Sequence, residues 1–390
     1  MIEKKFNISF VSSLALREKQ IQQNYRPIIA VHKWFARRPG TLFRSLLLSE
    51  FSEGELTHEF YRSQKFTGRR VADPFMGGGT PLLEANRMGI DSIGFDINPL
   101  AWWIVREQIE HLNLKDYRRQ AAKLRSTLEE EIGDLYRTRC VIDGNPDAQA
   151  KYFLWVKTMK CEECHNSIDM FPGYLVAENV RHPRNVIACA QCGELAEVQN
   201  RKEPGKCKVC ATALQLSGTV SYGVCTCPLC GKKHKIPGSR TVPFEHRLFA
   251  IEYTHPDCRK PHEGRFFKKP DADDLKRVES AKIALKQLRP EFIPDDLIPD
   301  GDETARLHRW GYRRYREMFN DRQLLGLEKS CRLIRAIEDV RVRKALATNL
   351  SDLLRYQNML CRYDTMALKS LDIFSVHGFP VGLVHVESNL

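Results

Sequence analysis

Four Cys-x-x-Cys pairs are the most specific chemical pattern in the sequence. The two-residue spacing lets both thiolates of a pair reach one tetrahedral zinc ion at about 2.3 Å. The pairs are Cys161/Cys164, Cys189/Cys192, Cys207/Cys210 and Cys227/Cys230. We predict two structural Zn²⁺ ions bound by these eight cysteines, because four thiolates leave no coordination position open for water. Sequential use of neighbouring pairs is the simplest arrangement, and joining the first pair to the third is the alternative.

The second pattern is a glycine-rich turn followed by a carboxylate. The run DPFMGGGT occupies residues 73–80, and Asp96 lies 17 residues beyond Gly79. Glycines let the backbone turn sharply at the carboxyl end of a strand and approach a ligand closely. An acidic side chain at the end of the next strand accepts hydrogen bonds from the ribose hydroxyls of a nucleoside. The run departs from the NAD fingerprint after Gly79, and a P-loop is excluded because no Lys-Ser/Thr pair follows.

A strand–turn–helix–strand unit is predicted to position these residues. We expect a short buried strand at residues 69–75, a helix over about residues 81–88 with Thr80 as its N-cap, and a second strand at residues 92–96. This order is typical of a parallel sheet, in which the turn and Asp96 share one edge. Helical patterns follow from residue 100 to about 139.

Charge and cysteine content divide the chain into three predicted segments. Residues 151–270 contain 19 Lys and Arg against 11 Asp and Glu, and ten of the thirteen cysteines. We predict a cofactor-binding part at 1–150, a basic insertion with two zinc ribbons at 151–270, and a helical region at 271–390 that returns to the first sheet. The formal net charge of +12 favours a nucleic acid as partner.

The expected location is the cytoplasm, with no membrane partner. No apolar run approaches the roughly 18 residues of a transmembrane helix, and the first residues lack a secretory cleavage site. In a reducing compartment paired cysteines are metal ligands more often than disulfides.

The stretch VADPFMGGGTPLLEANRMGIDSIGFDINPLA, residues 71–101, resembles motifs I and II of S-adenosylmethionine-dependent amino-methyltransferases that act on DNA. The resemblance is to adenine-specific DNA methyltransferases with a zinc-ribbon insertion, and it implies an α/β fold with a partial Rossmann-like methyltransferase sheet. The cofactor would be S-adenosylmethionine, with Asp73 at its methionine part and Asp96 at its ribose. The cofactor-binding residues so implied are Asp73, Phe75, Gly77, Gly79, Thr80, Asp96 and Asn98. The segment HKWFARRP, residues 32–39, is similar to the family's opening segment beside the cofactor.

The catalytic motif of that family is missing. These enzymes orient the exocyclic amine of a flipped base with a D/N/S-P-P-Y/F/W tetrapeptide, and the nearest fragment here is Asn145-Pro146-Asp147. We therefore predict no catalytic residue in this chain.

The predicted function is the cofactor-binding part of an adenine-N6 or cytosine-N4 DNA methyltransferase, split or truncated before its catalytic motif. A second polypeptide would carry that motif, in a restriction-modification or phage-defence setting. The alternatives are a non-catalytic zinc-ribbon DNA-binding or scaffolding subunit with a vestigial cofactor site, and an RNA methyltransferase.

Two basic segments are candidate DNA contacts. The opening segment supplies Lys33, Arg37 and Arg38, and the run RLHRWGYRRYREMF at residues 306–319 supplies Arg309 and Arg313. Arginines pair with phosphates, and aromatic rings stack on bases. A solvated basic turn is the alternative for the first segment, and an amphipathic helix with inward aromatics is the alternative for the second. The basic zinc region is the better candidate for duplex contact.

Overall fold

The computed structural model describes residues 2–21, 26–238, 240–254 and 264–389. Its helices are α1 Ile2–Lys5, α2 Ile8–Gln20, α3 Gly40–Phe51, α4 Leu56–Glu59, α5 Thr80–Arg87, α6 Pro99–Ile109, α7 Leu114–Ile132, α8 Ala272–Leu288, α9 Ala305–Arg309, α10 Asp321–Arg335 and α11 Val340–Leu353. None of the helices in these ranges is long and apolar enough to cross a membrane.

The strands form five sheets in the described residues. They are β1 Arg70–Asp73, β2 Asp91–Gly94, β3 Arg137–Thr138, β4 Ala148–Lys160, β5 Ser167–Asp169, β6 Leu175–Ala177, β7 Asn185–Ala188, β8 Leu195–Val198, β9 Val220–Ser221, β10 Val224–Thr226, β11 Lys233–Lys235, β12 Glu245–Thr254, β13 Arg265–Lys268, β14 Arg362–Asp364, β15 Lys369–Leu371 and β16 Val384–Ser388. The mixed α/β class predicted from the sequence is present.

The chain divides into two compact units. Unit 1 comprises Met1–Ala121 and Ile337–Asp352, and unit 2 comprises Ala122–Ala336 and Leu353–Leu390. This division differs from the predicted boundaries at residues 150 and 270, because α7 and β3 already lead into the sheet of unit 2 and α11 belongs to unit 1.

Unit 1 contains the predicted strand–turn–helix–strand unit. β1 and β2 pair in parallel, from Arg70 opposite Asp91 to Asp73 opposite Gly94, and α5 connects them. The N-cap of α5 is Gly79 rather than Thr80, because Gly79 adopts a left-handed φ of +77° and Thr80 is already helical. The prediction that β1 is buried is wrong. Its residues alternate between exposed and half-buried, since β1 and β2 are the whole sheet in the described residues.

A buried ion network holds the start of unit 1 together. The Glu18 carboxylate accepts hydrogen bonds from Arg26 Nε and from the backbone N–H groups of Gly40 and Thr41, each at 2.8 Å. The last two are orphan donors at the start of α3, so Glu18 satisfies that helix end. Arg26 also donates to Glu84 on α5, the helix that follows the glycine turn. The opening helices are therefore linked to the element that positions the turn.

Unit 2 is built on the long central strand β4. β4 pairs antiparallel with β12 and β16, and β13, β3 and β5 complete the six-stranded sheet. The closing strand β16 thus joins this sheet rather than the sheet of β1 and β2, which the sequence predicts for the end of residues 271–390. The reason lies in its burial, because Val386 and Glu387 of β16 are both fully inaccessible against the unit 2 core.

Glu387 is the polar centre of that core. Its carboxylate receives Arg322 Nε at 2.6 Å and Arg322 Nη2 at 2.8 Å. The Trp155 indole donates to it at 2.9 Å and the Asn320 amide at 2.7 Å. The Arg322 guanidinium also stacks on Phe153, 3.6 Å from the ring centroid. One carboxylate therefore joins β16 to β4 and to the start of α10.

Replacing Glu387 with leucine should destabilise unit 2 by about 3–5 kcal/mol, because the Arg322 charge would remain buried without its partner. Urea unfolding of the whole chain followed by tryptophan fluorescence measures this loss. Glu245→Gln, an exposed glutamate on β12, is the matched control and should stay within about 0.5 kcal/mol of wild type. A Glu387→Leu protein as stable as this control would show that the ion pair does not hold the sheet.

Candidate cofactor site and metal centres

The glycine turn has a backbone that only glycine fits without strain. Gly77 and Gly79 have φ values of +48° and +77°, in the left-handed region. A Cβ built on Gly79 would lie 2.4 Å from Val105 Cγ2, so α6 packs directly on the turn. The Gly79 N–H donates to Met76 O at 2.7 Å and closes the turn. The turn is therefore a compact backbone surface at the carboxyl end of β1.

Asp96 is joined to this turn by a direct hydrogen bond. Its Oδ2 accepts the Gly77 N–H at 2.9 Å, and its Oδ1 accepts the Asn98 N–H at 2.8 Å. The Asn98 side chain accepts the Leu100 N–H at 2.9 Å and so caps α6. A carboxylate has about four lone-pair directions, so each Asp96 oxygen keeps one for a further donor. The structure thus brings together Gly77 and Asp96, two residues that the sequence assigns to the same cofactor site.

The remaining predicted cofactor residues surround the same turn. Asp73 is half-buried, and its carboxylate accepts the Phe75 N–H at 3.0 Å. The Phe75 side chain is 87% exposed. Thr80 is buried at the first position of α5.

The opening segment packs on the glycine turn. Arg37 Nη1 donates to Gly78 O at 2.8 Å. A Cβ on Gly77 would lie 2.9 Å from Trp34 Nε1, and one on Gly78 would lie 2.9 Å from Arg37 Cζ. Burial lowers the pKa of the Arg37 guanidinium to about 10, which leaves it charged at neutral pH. Nothing in the sequence singles out Trp34 beyond its place in this segment.

The predicted DNA contacts lie in different surroundings. Lys33 and Arg38 are exposed in unit 1, whereas Arg37 is half-buried and donates to the turn backbone. In unit 2, Arg309 is exposed at the end of α9. Arg313 is half-buried and donates to the carbonyl oxygens of His308 at 2.9 Å and Tyr312 at 3.0 Å.

Trp310 and Tyr312 beside Arg313 turn inward while Tyr315 is exposed, and the run does not form one helix. Tyr312 is fully buried, and Trp310 packs edge-on against Phe244 at 5.8 Å. α9 ends at Arg309, and a separate 3₁₀ turn covers Tyr315–Met318. The amphipathic-helix interpretation of this run therefore fits the burial of Tyr312 but not the exposed Tyr315 or the half-buried Arg313, and it is wrong in its backbone.

Gly79→Ala should destabilise unit 1 by about 1–3 kcal/mol more than Gly68→Ala. Both residues have φ of +77°, but a Cβ on Gly68 meets no atom within 4 Å. The difference between their unfolding free energies therefore isolates the clash with Val105, and Gly79→Ala/Val105→Ala should recover part of it. Equal losses for the two alanine variants would contradict close packing of α6 on the turn.

The eight predicted cysteines form two sets with the spacing of a zinc tetrahedron. The outer tetrad is Cys161, Cys164, Cys227 and Cys230, and the inner tetrad is Cys189, Cys192, Cys207 and Cys210, with all ligand atoms of a set within 4.8 Å of one another. Sulfur–sulfur distances are 3.6 and 3.7 Å in the outer tetrad and 3.5 and 3.6 Å in the inner one. A sulfur tetrahedron around zinc has edges of about 3.8 Å, whereas a disulfide is about 2.05 Å long. Both sets fit Zn²⁺.

The pairing is nested, so the sequential prediction and its alternative are both wrong. The first pair joins the last, and the second joins the third. The cause is the segment between the outer pairs, which folds on itself through β6, β7 and β8. Its two ends meet where Gly173 bridges Ser217, and there a Cβ on Gly218 would lie 2.0 Å from Phe171 O. The Gly173–Ser217 bridge, called the neck below, brings the chain back to the third and fourth cysteines of the outer tetrad.

All four cysteine knuckles share one local geometry. The residue after each second cysteine has a left-handed φ: His165 +57°, Gly193 +73°, Ala211 +59° and Gly231 +75°. Its N–H donates to the carbonyl of the first cysteine at 2.9–3.0 Å. Glycine marks only two of these positions in the sequence, so His165 and Ala211 adopt a strained conformation that closing the knuckle requires.

Two further residues lie beside the outer tetrad. His234 is buried with Nε2 3.3 Å from Cys161 Sγ, a contact that orients the sulfur without replacing a ligand. Burial raises the pKa of the Cys225 thiol to about 11, so it stays protonated as a core residue. Cys258 and His255, which are further candidate ligands by residue type, lie outside the described residues.

Purified protein should contain about two zinc ions per chain by elemental analysis. Cys192→Ser should lose one ion and unfold the inner module, because metal binding supplies much of the folding energy of such a module. Cys230→Ser should retain the inner ion, since the neck lies inside the outer tetrad. Wild-type protein with less than about one zinc, or a Cys192→Ser protein with both, would contradict the assignment.

Comparison with known proteins gives one related sequence of known class. Over 100 residues the chain is 32% identical to the type II methyltransferase M.BsoBI of Geobacillus stearothermophilus. The aligned part is 26% of this chain and 18% of that protein, so the chain spans less than a fifth of the relative's length. No family model and no solved structure matches the chain. The similarity is therefore to part of a methyltransferase.

Proposed function

We propose that this chain is the S-adenosylmethionine-binding part of a DNA methyltransferase that modifies N6 of adenine or N4 of cytosine. The observation that carries the proposal is the Asp96–Gly77 hydrogen bond at the shared carboxyl edge of two parallel strands. Ligands of open parallel sheets bind at this edge. The similarity to M.BsoBI supports methyl transfer as the reaction class.

The donor set around the turn fits the proposed cofactor. Asp96 offers one unused lone-pair direction on each oxygen, which suits the two ribose hydroxyls. Gly77 and Gly78 present backbone without side chains, and Trp34 and Arg37 hold that backbone from the other side. When bound, S-adenosylmethionine supplies an electrophilic methyl group. This chain's residues bind and orient it, with Asp73 near its methionine part.

Orientation of the acceptor amine is assigned to a second polypeptide or a further segment. The sequence has no D/N/S-P-P-Y/F/W tetrapeptide to hold a flipped base. β2 and the segment that follows it also expose large apolar side chains, with Ile93 55%, Phe95 60% and Ile97 101% accessible. Apolar groups that adjoin one another on a surface mark a contact with another protein element. We propose restriction-modification or phage defence as the setting.

A non-catalytic DNA-binding or scaffolding subunit is the second candidate. The absent tetrapeptide and the two cysteine tetrads both favour it, because structural zinc modules present rigid binding surfaces without chemistry of their own. In that case the Asp96–Gly77 bond would be a remnant that stabilises the turn. An RNA methyltransferase would share the same donor site and differ in its polymer. Measuring S-adenosylmethionine binding distinguishes the scaffolding subunit from the DNA and RNA methyltransferases.

Asp96→Ala should weaken S-adenosylmethionine binding by roughly ten- to a hundredfold, because it removes charge-assisted hydrogen bonds worth about 1.5–3 kcal/mol. Isothermal titration calorimetry with and without the catalytic partner measures this. Asp91→Ala is the matched control, since Asp91 begins β2, the strand just before Asp96, and its carboxylate only reaches Arg70 at 4.0 Å. Thermal unfolding of each variant without cofactor shows whether the turn has kept its fold.

Equal affinity of wild type and Asp96→Ala would contradict the cofactor site, as would no binding even with the partner present. Methylation of DNA by the 390-residue chain alone would instead contradict the assignment of the catalytic motif to another segment.

A further inference from the structure

The tight turn between β9 and β10 carries an aromatic residue that the fold does not need. Tyr222 and Gly223 occupy its two central positions with φ of +46° and +75°. Two successive left-handed residues favour Asn-Gly or Asp-Gly, and a bulky residue in the first of these positions is strained. The Tyr222 side chain is 103% exposed, so no burial offsets this strain. No described residue forms a hydrogen bond or ring contact with its side chain.

The sheet behind this turn has one buried face and one basic face. Val220, Cys225 and His234 lie opposite one another across β9, β10 and β11, and all three are buried beside the outer tetrad. The alternate residues point the other way, so Lys233 and Lys235 share the outer face and are both exposed. Among the described residues, neither lysine has an acidic partner. Two unneutralised charges therefore lie about 7 Å apart along one strand.

The turn is held rigidly at the end of this basic face. The Ile236 N–H donates to Gly223 O at 2.9 Å, which places Lys235 beside the turn. The strands are fixed in turn by Cys227, a ligand of the outer tetrad, and by the contact of His234 with Cys161. A ring on a rigid element loses little conformational freedom when it binds.

We propose that the outer zinc module binds DNA through this tip, with the Tyr222 ring stacked on an unpaired base and Lys233 and Lys235 on adjacent phosphates. The proposal deepens the proposed function and rests on it for the choice of DNA. The charge around the ring favours a nucleic acid over a protein, because lysine is depleted at the cores of protein interfaces. An unpaired base is required because stacking needs a free base face.

Fluorescence anisotropy of the whole zinc-loaded chain with a labelled 20-nucleotide single strand, and with its duplex, tests the tip. Tyr222→Asn removes the ring and suits the left-handed turn, so it should fold at least as stably as wild type. It should bind the single strand about five- to a hundredfold more weakly. Tyr222→Phe keeps the ring and should stay within about twofold.

The lysines are tested by salt dependence on the same single strand. The Lys233→Gln/Lys235→Gln variant should lower the slope of log affinity against log salt by about 1.4, the loss of two phosphate contacts. Lys202→Gln/Lys208→Gln, a pair of exposed lysines in the inner module, is the matched control and should change the slope less.

The proposal would be overturned if Tyr222→Asn bound the single strand with wild-type affinity. It would also be overturned if this variant lost affinity equally for the duplex and for the single strand. Tighter binding of the equivalent RNA strand would overturn the choice of DNA. Cofactor calorimetry keeps the two proposals apart. Tyr222-dependent DNA binding without any cofactor binding contradicts only the proposed function, and cofactor binding with an indifferent Tyr222 contradicts only this inference.

Discussion

The outer cysteine tetrad is the constraint on which the architecture of the zinc region depends. It joins the end of β4, the central strand of unit 2, to the knuckle that follows β10. The residues between 165 and 226 form a loop closed by one cysteine tetrad that fits Zn²⁺. Closing a long loop costs conformational entropy, and a bound ion offsets that cost because ligand binding and folding are the same event. The inner tetrad and the Gly173–Ser217 bridge then fold the loop into a separate module.

Unit 1 is under a different constraint, since the proposed cofactor site must remain open to a ligand. Glu18, Arg26 and Glu84 bury three charged groups to fix the opening helices against α5. Burial raises the pKa of Glu84, while Arg26 opposes that shift. The turn itself is held by its backbone geometry, by Arg37 and by Asp96. These contacts leave one lone-pair direction free on each oxygen of the Asp96 carboxylate. The turn is therefore held in place by the residues around it, and the Asp96 carboxylate keeps acceptors for the proposed ligand.

Local signals in the sequence predict local structure well here. Gly77 and Gly79 predict a left-handed turn, and the order strand–turn–helix–strand predicts that Asp96 lies at the same sheet edge as that turn. Each cysteine pair likewise predicts a knuckle. The nested pairing is not predictable in this way, because the spacing within a pair is identical in all four pairs and the partner is chosen by the neck at Gly173. The sequence also does not show which strand β16 pairs with. That choice depends on the buried Glu387–Arg322 pair and not on any pattern within the strand.

Exposed aromatic side chains occur in both units. The residues around each one indicate the kind of partner that it matches. Ile93 on β2 and Phe95 and Ile97 in the segment after it are all exposed, and apolar side chains of this kind match those of another protein element. Tyr222 lies at the end of a strand pair whose outer face carries Lys233 and Lys235, so its surroundings match a charged polymer with stacked rings. The same residue class thus favours different partners in the two units. Because water solvates lysine better than an apolar contact would, exchanging the two partners would leave each surface poorly matched.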